Sequence, residues 1–232
     1  MIAQISEKEK IAIVDDEKDL AESTGWDVEA AGFKPIILDG SFGEVNLLAS
    51  YIEKNAQGAL CDHRLANYGR TNFSGAKLVA ELYDRKIPSI LITQYTAIDA
   101  NVSIRMLRRK IAVLLSRDEA NAATIKQGIE NCVLELRGQV PSNRKPHRTL
   151  VRITNTDTES GEDVLDAIVP GWNPHEAVRF PAVLIPEEIR QDALKGGVRL
   201  FAHVNIGADK SEDLYFEKFQ LAPELDDNDE LT

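Results

Sequence analysis

The chain has 232 residues, enough to bury a sizeable core and to form one large domain or two small ones. Hydrophobic residues make up 43% and charged residues 28%, the balance of an ordinary globular protein, and no apolar run approaches the roughly 20 residues that span a bilayer. The net charge of −11 sits almost wholly in the second half, where from Arg148 onward 8 Lys and Arg face 18 Asp and Glu; such a surface argues against non-specific DNA or RNA binding and against anionic membranes.

Met1 to Lys10 has neither an apolar core nor a small-residue cleavage site, so no signal peptide is expected. Cys61 and Cys132 lack motif spacing and read as reduced core residues, which fits the cytoplasm.

In chain order the first half alternates strand and helix. Lys10 to Val14 is an apolar strand that runs into Asp15 and Asp16, and Glu17 to Ala31 is helical, with Leu20, Thr24, Val28 and Ala31 on one face and Gly32 as its stop. Pro35 to Leu38 is a strand, and Phe42 to Lys54 a helix with Val45, Leu48 and Ile52 inward. Gly58-Ala59-Leu60-Cys61-Asp62 is a buried strand ending in a carboxylate, followed by a polar loop and by a helix over Gly75–Arg85. Pro88 to Thr93 is a strand, Ala97 to Arg109 a helix with a basic end, Ile111 to Leu115 a strand, and Asp118 to Leu136 a helix. Strand and helix repeat five times, which predicts an α/β fold, a (βα)5 doubly wound parallel sheet.

Gly138 to His147 carries two prolines and a glycine and reads as a linker. Beyond it, Thr149–Thr154, Val164–Val169, Val178–Ile185, Arg199–Ile206 and Leu214–Leu221 are β-rich, and Pro186–Lys195 is helical with Gly196-Gly197 as its stop. This pattern predicts a small all-β, barrel-like or sandwich domain. The expected division is 1–137, a linker over 138–147, a β-rich domain over 148–222 and an acidic disordered tail over 223–232.

In an open parallel sheet, ligands bind outside the carboxyl ends of the strands. Asp15, Asp16 and Asp62 all fall there. Three acids so placed repel one another unless a cation sits among them, and hard oxygen donors suit Mg²⁺. Against this, Asp16 could simply cap the following helix, and Thr93 alone would count as structural. His63 is expected in a solvated loop, and Arg105, Arg108 and Arg109 at a solvated helix end. Trp172 is expected to pack on the β-domain from a turn. His147, His175 and His203 have no metal spacing. The glycines of the second half form no phosphate-cradling loop.

Asp15-Asp16 after the first strand, Asp62-His63-Arg64-Leu65 after the third, a glycine opening the next helix and Thr93 after the fourth together resemble the receiver domain of two-component response regulators. The resemblance covers residues 1–137 and implies a flavodoxin-like receiver. It implies that Asp62 accepts a phosphoryl group from a phosphohistidine, that Asp15, Asp16, Asp62 and the backbone carbonyl of Arg64 hold Mg²⁺, and that Thr93 serves as the switch hydroxyl. The implied partner is a sensor histidine kinase or a phosphotransfer protein.

Two positions depart from the pattern. Where the family has a lysine after the fifth strand, this chain reads Leu114-Leu115-Ser116-Arg117, so Arg117, with Ser116 beside it, is the substitute. The aromatic switch position is Leu115, which leaves Tyr95 as the alternative. The β-rich domain lacks a helix-turn-helix and any catalytic constellation, so it is expected to bind a protein and not nucleic acid or membrane. A homodimer is compatible with the sequence. No enzymatic activity is expected beyond self-phosphorylation and autodephosphorylation. The competing reading is a pseudo-receiver, an adaptor that never takes a phosphoryl group.

Overall fold

A computed structural model describes residues 9–38, 43–65, 72–94, 99–159 and 161–223. Phe42, Tyr95 and the acidic run Asp226–Glu230 lie outside the described residues. The chain divides into two compact units, one of Met1–Ala97 with Leu107–Pro141, the other of Ile98–Met106 with Ser142–Thr232. The second unit is therefore discontinuous in sequence: it takes a short segment from inside the first half as well as everything from Ser142 on, so that the expected linker is divided between the two units.

The first unit follows the expected alternation: β1 Lys10–Val14, α1 Lys18–Ala30, β2 Lys34–Ile37, α2 Val45–Asn55, β3 Gly58–Asp62, α3 Gly75–Asp84, β4 Ser89–Thr93, β5 Val113–Ser116 and α4 Ala122–Leu136. The strands pair in parallel in the order β2-β1-β3-β4-β5, which is the flavodoxin-like fold. Register brings the strand ends level, with Val14 beside Cys61, Asp62 beside Ile92 and Thr93 beside Ser116. Four residues of β1 and all of β4 are buried, as continuous apolar strands covered on both faces must be.

The last helix starts later than Asp118. Asn121 accepts from the amides of Ala123 and Thr124, while the Thr124 hydroxyl accepts from the amide of Asn121, a capping box that fixes the start at Ala122.

The helix expected over Ala97–Arg109 is not formed by its described residues, 99–109. Asp99–Ser103 forms a π-turn and Arg105–Lys110 a 3₁₀ helix. Asn101 and Ser103 favour side-chain hydrogen bonds to nearby backbone, and Val102 and Ile104 lose rotamer freedom in an α-helix. The π-turn lies against β8 of the second unit, defined below.

The basic end is not solvated either. Arg105 and Arg108 are buried; Arg108 donates to the Ile111 carbonyl, and Arg109 donates to the Tyr83 hydroxyl at 3.1 Å.

The second unit holds β6 His147–Glu159, β7 Glu162–Val169, β8 Asn173–Pro181, α5 Glu187–Leu194, β9 Arg199–Val204 and β10 Phe216–Leu221. These strands form one antiparallel sheet in the order β10-β9-β6-β7-β8. With β10 and β8 as its two edges, the sheet is open and does not close into the expected barrel. Its apolar face is covered instead by α5 and the turn before it, through Ala182, Ile185 and Ala193. Phe180, Phe216 and Phe219 stack there with ring centroids 4.6 to 6.0 Å apart. Trp172 packs on this core from its turn, as expected, and donates to the Ala208 carbonyl at 2.8 Å. Among the described residues no helix is long and apolar enough to cross a membrane.

Candidate functional site

Asp62 ends a strand whose four preceding residues are fully buried, and this fixes where its carboxylate stands. Its Oδ2 accepts from the amide of Arg64 at 2.7 Å, and its Oδ1 accepts from Nη2 of Arg117 at 2.5 Å. The backbone behind it is clamped by Gly75: a Cβ on that glycine would lie 1.8 Å from the Asp62 carbonyl oxygen. The Gly75 amide also donates to the His63 carbonyl at 2.9 Å, and the His63 amide to the Ile92 carbonyl at 2.9 Å. His63 is consequently buried, a correction to the solvated loop expected for it.

Asp15, directly after β1, turns one oxygen back and one inward. Its Oδ1 accepts from the amide of Glu17 at 3.0 Å, and its Oδ2 accepts from the same Arg117 Nη2 at 2.9 Å. It is therefore Asp15, not Asp16, that holds the backbone amide ahead of α1. The N-cap of that helix is Glu17, which makes no side-chain cap. Asp16 is buried and lines the cleft.

Arg117 follows β5. Its amide donates to the Thr93 carbonyl at 3.0 Å, and its Nη1 reaches the hydroxyl of Thr24 on α1 at 3.4 Å. One guanidinium thus ties the ends of β1 and β3 to α1, with its side chain 18% exposed. The cleft it closes has a volume of about 110 Å³ and is lined by Asp15, Asp16, Glu17, Asp62, Gln94 and Arg117 among others.

Burial pushes the Asp62 carboxyl above the ordinary range; the Arg64 amide opposes this, Asp15 adds to it, Arg117 opposes it and Asp16 adds to it.

The other expected residues fall as follows. Thr93 is 1% exposed, and its buried Oγ1 has no hydrogen-bond partner among the described residues. Ser116 turns its hydroxyl to accept from the amide of Glu119 at 3.3 Å, so it serves the next turn. Arg64 enters through its amide. Tyr95 lies outside the described residues. Glu17, Gln94 and Thr24 belong to the site without having been singled out. Thr24 showed only as an inward-facing position of a helix.

Whether the site fits a divalent cation turns on its donor oxygens. The two oxygens of Asp15 and the two of Asp62 each face a donor, Arg117 on one side and a backbone amide on the other. Among the described residues no group of three or more His, Cys, Asp or Glu is gathered to hold a metal ion. As arranged, the Asp15 and Asp62 oxygens are taken by protein donors, and the cation seated between those two acids is Arg117.

No protein-family model matches the chain, and no curated protein matches it. Solved structures do. A response regulator receiver domain protein from Clostridium thermocellum is 14% identical, with a TM-score of 0.43, over 56% of this chain and 97% of that one. The receiver domain of Francisella response regulator 1452 is 14% identical, with a TM-score of 0.41, over 55% of this chain and 98% of that one. The signal receiver domain of an HD domain-containing protein from Pseudomonas fluorescens Pf-5 is 11% identical, with a TM-score of 0.42, over 60% of this chain and 96% of that one. The fold itself is given by the strand order of the first unit.

Proposed function

We propose that this chain is a two-component signalling protein of the response-regulator kind, in which Asp62 is the phosphoryl acceptor and the β-rich unit engages a protein partner. The observation that carries this reading is the Arg117 guanidinium on Asp62 Oδ1 at 2.5 Å, in a cleft at the strand ends. Phosphoryl transfer needs a carboxylate nucleophile, little competing water and a cation across the transferring group. A planar guanidinium can meet phosphoryl oxygens through two donors at once.

In the proposed step an Asp62 oxygen attacks phosphorus, the P–N bond to a kinase or phosphotransfer histidine breaks, and the imidazole keeps the bonding electrons. The product is an acyl phosphate on Asp62. The Thr93 hydroxyl, one strand over and without a hydrogen-bond partner among the described residues, supports a switch that closes on the new oxygens.

The partner of the β-rich unit is a protein by charge, since the residues from Arg148 onward carry a net of −10. A cytoplasmic location belongs to the same reading, and Cys61 and Cys132, both buried and not in a disulfide, support it. No activity on any other substrate is proposed.

The second reading, an adaptor that takes no phosphoryl group, is favoured by one observation: Arg117 already satisfies both Asp15 and Asp62. Intact-mass measurement after incubation with acetyl phosphate, with and without Mg²⁺, separates the two. An added phosphoryl group that Asp62→Asn lacks supports the acceptor. No added mass, together with no binding of beryllofluoride, establishes the adaptor.

A further inference from the structure

We infer that Arg117 is a resident, tethered counter-ion that occupies the place between Asp15 and Asp62 and keeps divalent metal out of the resting site. The inference deepens the acceptor reading and rests on it only for what the site is used for.

Arg117 Nη2 stands 2.9 Å from Asp15 Oδ2 and 2.5 Å from Asp62 Oδ1, so one nitrogen bridges two carboxylates from different strands. A metal shared by those acids would draw on the same two oxygens, because the remaining oxygen of each is turned to the amide of Glu17 or Arg64. The bridge is held from three directions: by the amide of Arg117 on the Thr93 carbonyl, by its Nη1 on Thr24, and by the two acids.

A guanidinium does not deprotonate in a protein, so no accessible pH removes this cation. It can leave only by swinging out, which strands two largely desolvated carboxylates. Magnesium sheds its own water reluctantly and takes few protein ligands, so it gains little by displacing a cation already seated on the Asp15 and Asp62 oxygens. Metal binding and the Arg117 bridge are therefore mutually exclusive, and removing the arginine uncovers the metal site that the acids would otherwise form.

The test uses the full chain and MgCl2 alone, with no phosphoryl donor, so that its outcome is independent of whether Asp62 is an acceptor. Binding is followed by titration calorimetry and by the Mg²⁺-induced shift in Tm. The native protein is expected to give no saturable heat and no Tm rise in millimolar Mg²⁺. Arg117→Ala is expected to bind at least about tenfold more tightly and to gain a Tm rise that adding Asp62→Asn abolishes. Arg117→Gln, which keeps most of the side-chain volume, gives the same comparison should the alanine variant not fold. Saturable Mg²⁺ binding by the native chain equal to that of the variants overturns the inference. So does an Arg117→Gln protein that is folded and binds no metal.

Discussion

Arg105 donates through Nη1 to the carbonyl of Leu214 at 2.7 Å, across 109 residues of sequence, and through the same nitrogen to the carbonyl of Ser211 at 2.6 Å. All three residues belong to the second unit, although Arg105 comes from the stretch between β4 and β5. The chain that leaves Thr93 thus passes into the β-rich unit and is pinned there by a buried guanidinium before it returns for β5. Arg105→Met keeps the apolar stem but takes its donor from the buried Leu214 carbonyl, while the part-buried Ser211 carbonyl still accepts from the Leu214 amide at 3.1 Å. Such a loss costs about 1–3 kcal/mol, and that much is expected from the urea midpoint of the β-rich unit. An unchanged midpoint would remove Arg105 as an anchor.

Most of the first unit was legible in the sequence because its strands are short apolar runs that end in charge, a pattern only a covered parallel sheet requires. Ile11 to Val14, Gly58 to Cys61 and Ile90 to Ile92 carry that signal by themselves. The segment after Thr93 was not legible, since Ile104 and Leu107, three residues apart, fit a helical period although only Ile104 of the pair is fully buried. What decides against the helix is the pair of carbonyls at Ser211 and Leu214, which lie far away in sequence. His63 was missed for a similar reason: its burial follows from Gly75 closing on the Asp62 backbone, a contact that a lone glycine at a helix start hardly announces. The acids of the site were plain, and the identity of their cation was not. A carboxylate cluster shows that positive charge is needed without showing whether it arrives as a metal or as Arg117.

Gly75 tests how rigidly the acceptor strand end is held. The clash is with backbone, so a methyl group there cannot be relieved by a rotamer change. Gly75→Ala must push α3 or Asp62 aside and should cost about 1–3 kcal/mol, a drop in Tm of roughly 2–4 °C for each kcal/mol in a protein of this size. The same displacement should loosen the contact between Asp62 and Arg117, and intact-mass labelling with acetyl phosphate should fall with it. Full stability in Gly75→Ala would show that the close approach is not maintained in solution.

The raised Asp62 carboxyl gives a pH dependence with a definite sign. The folded chain holds this proton to higher pH than the unfolded chain, where a carboxylate titrates near about 3.9. Stability from this group therefore falls as pH rises from that value to the elevated folded one, and stays lower above it. Asp62→Asn removes the slope, and Arg117 retains Asp15 as its partner. The variant should match the native protein near pH 4 and exceed it in Tm near pH 7. A variant less stable than native at neutral pH would mean that the Arg117 contact outweighs the desolvation of Asp62.

Thr93 offers a test in which stability and function move in opposite directions. Its hydroxyl is buried at the end of β4 with no hydrogen-bond partner among the described residues, while its carbonyl receives the amide of Arg117 at 3.0 Å. A purely structural threonine in a sheet interior would be better replaced by valine, which has the same shape and no polar atom to strand. Thr93→Val should accordingly raise the stability of the resting protein by about 1 kcal/mol, the lower end of what an unsatisfied buried polar group costs. If the hydroxyl is kept because it receives the oxygens of a phosphoryl group on Asp62, the same substitution should lower the steady-state level of phosphorylated protein at fixed acetyl phosphate. Thermal unfolding and intact mass on one preparation read both quantities. A gain in stability with undiminished labelling would leave Thr93 as a packing residue. A loss of stability would mean that its hydroxyl already has a partner in the resting protein, and the switch role would fall with it.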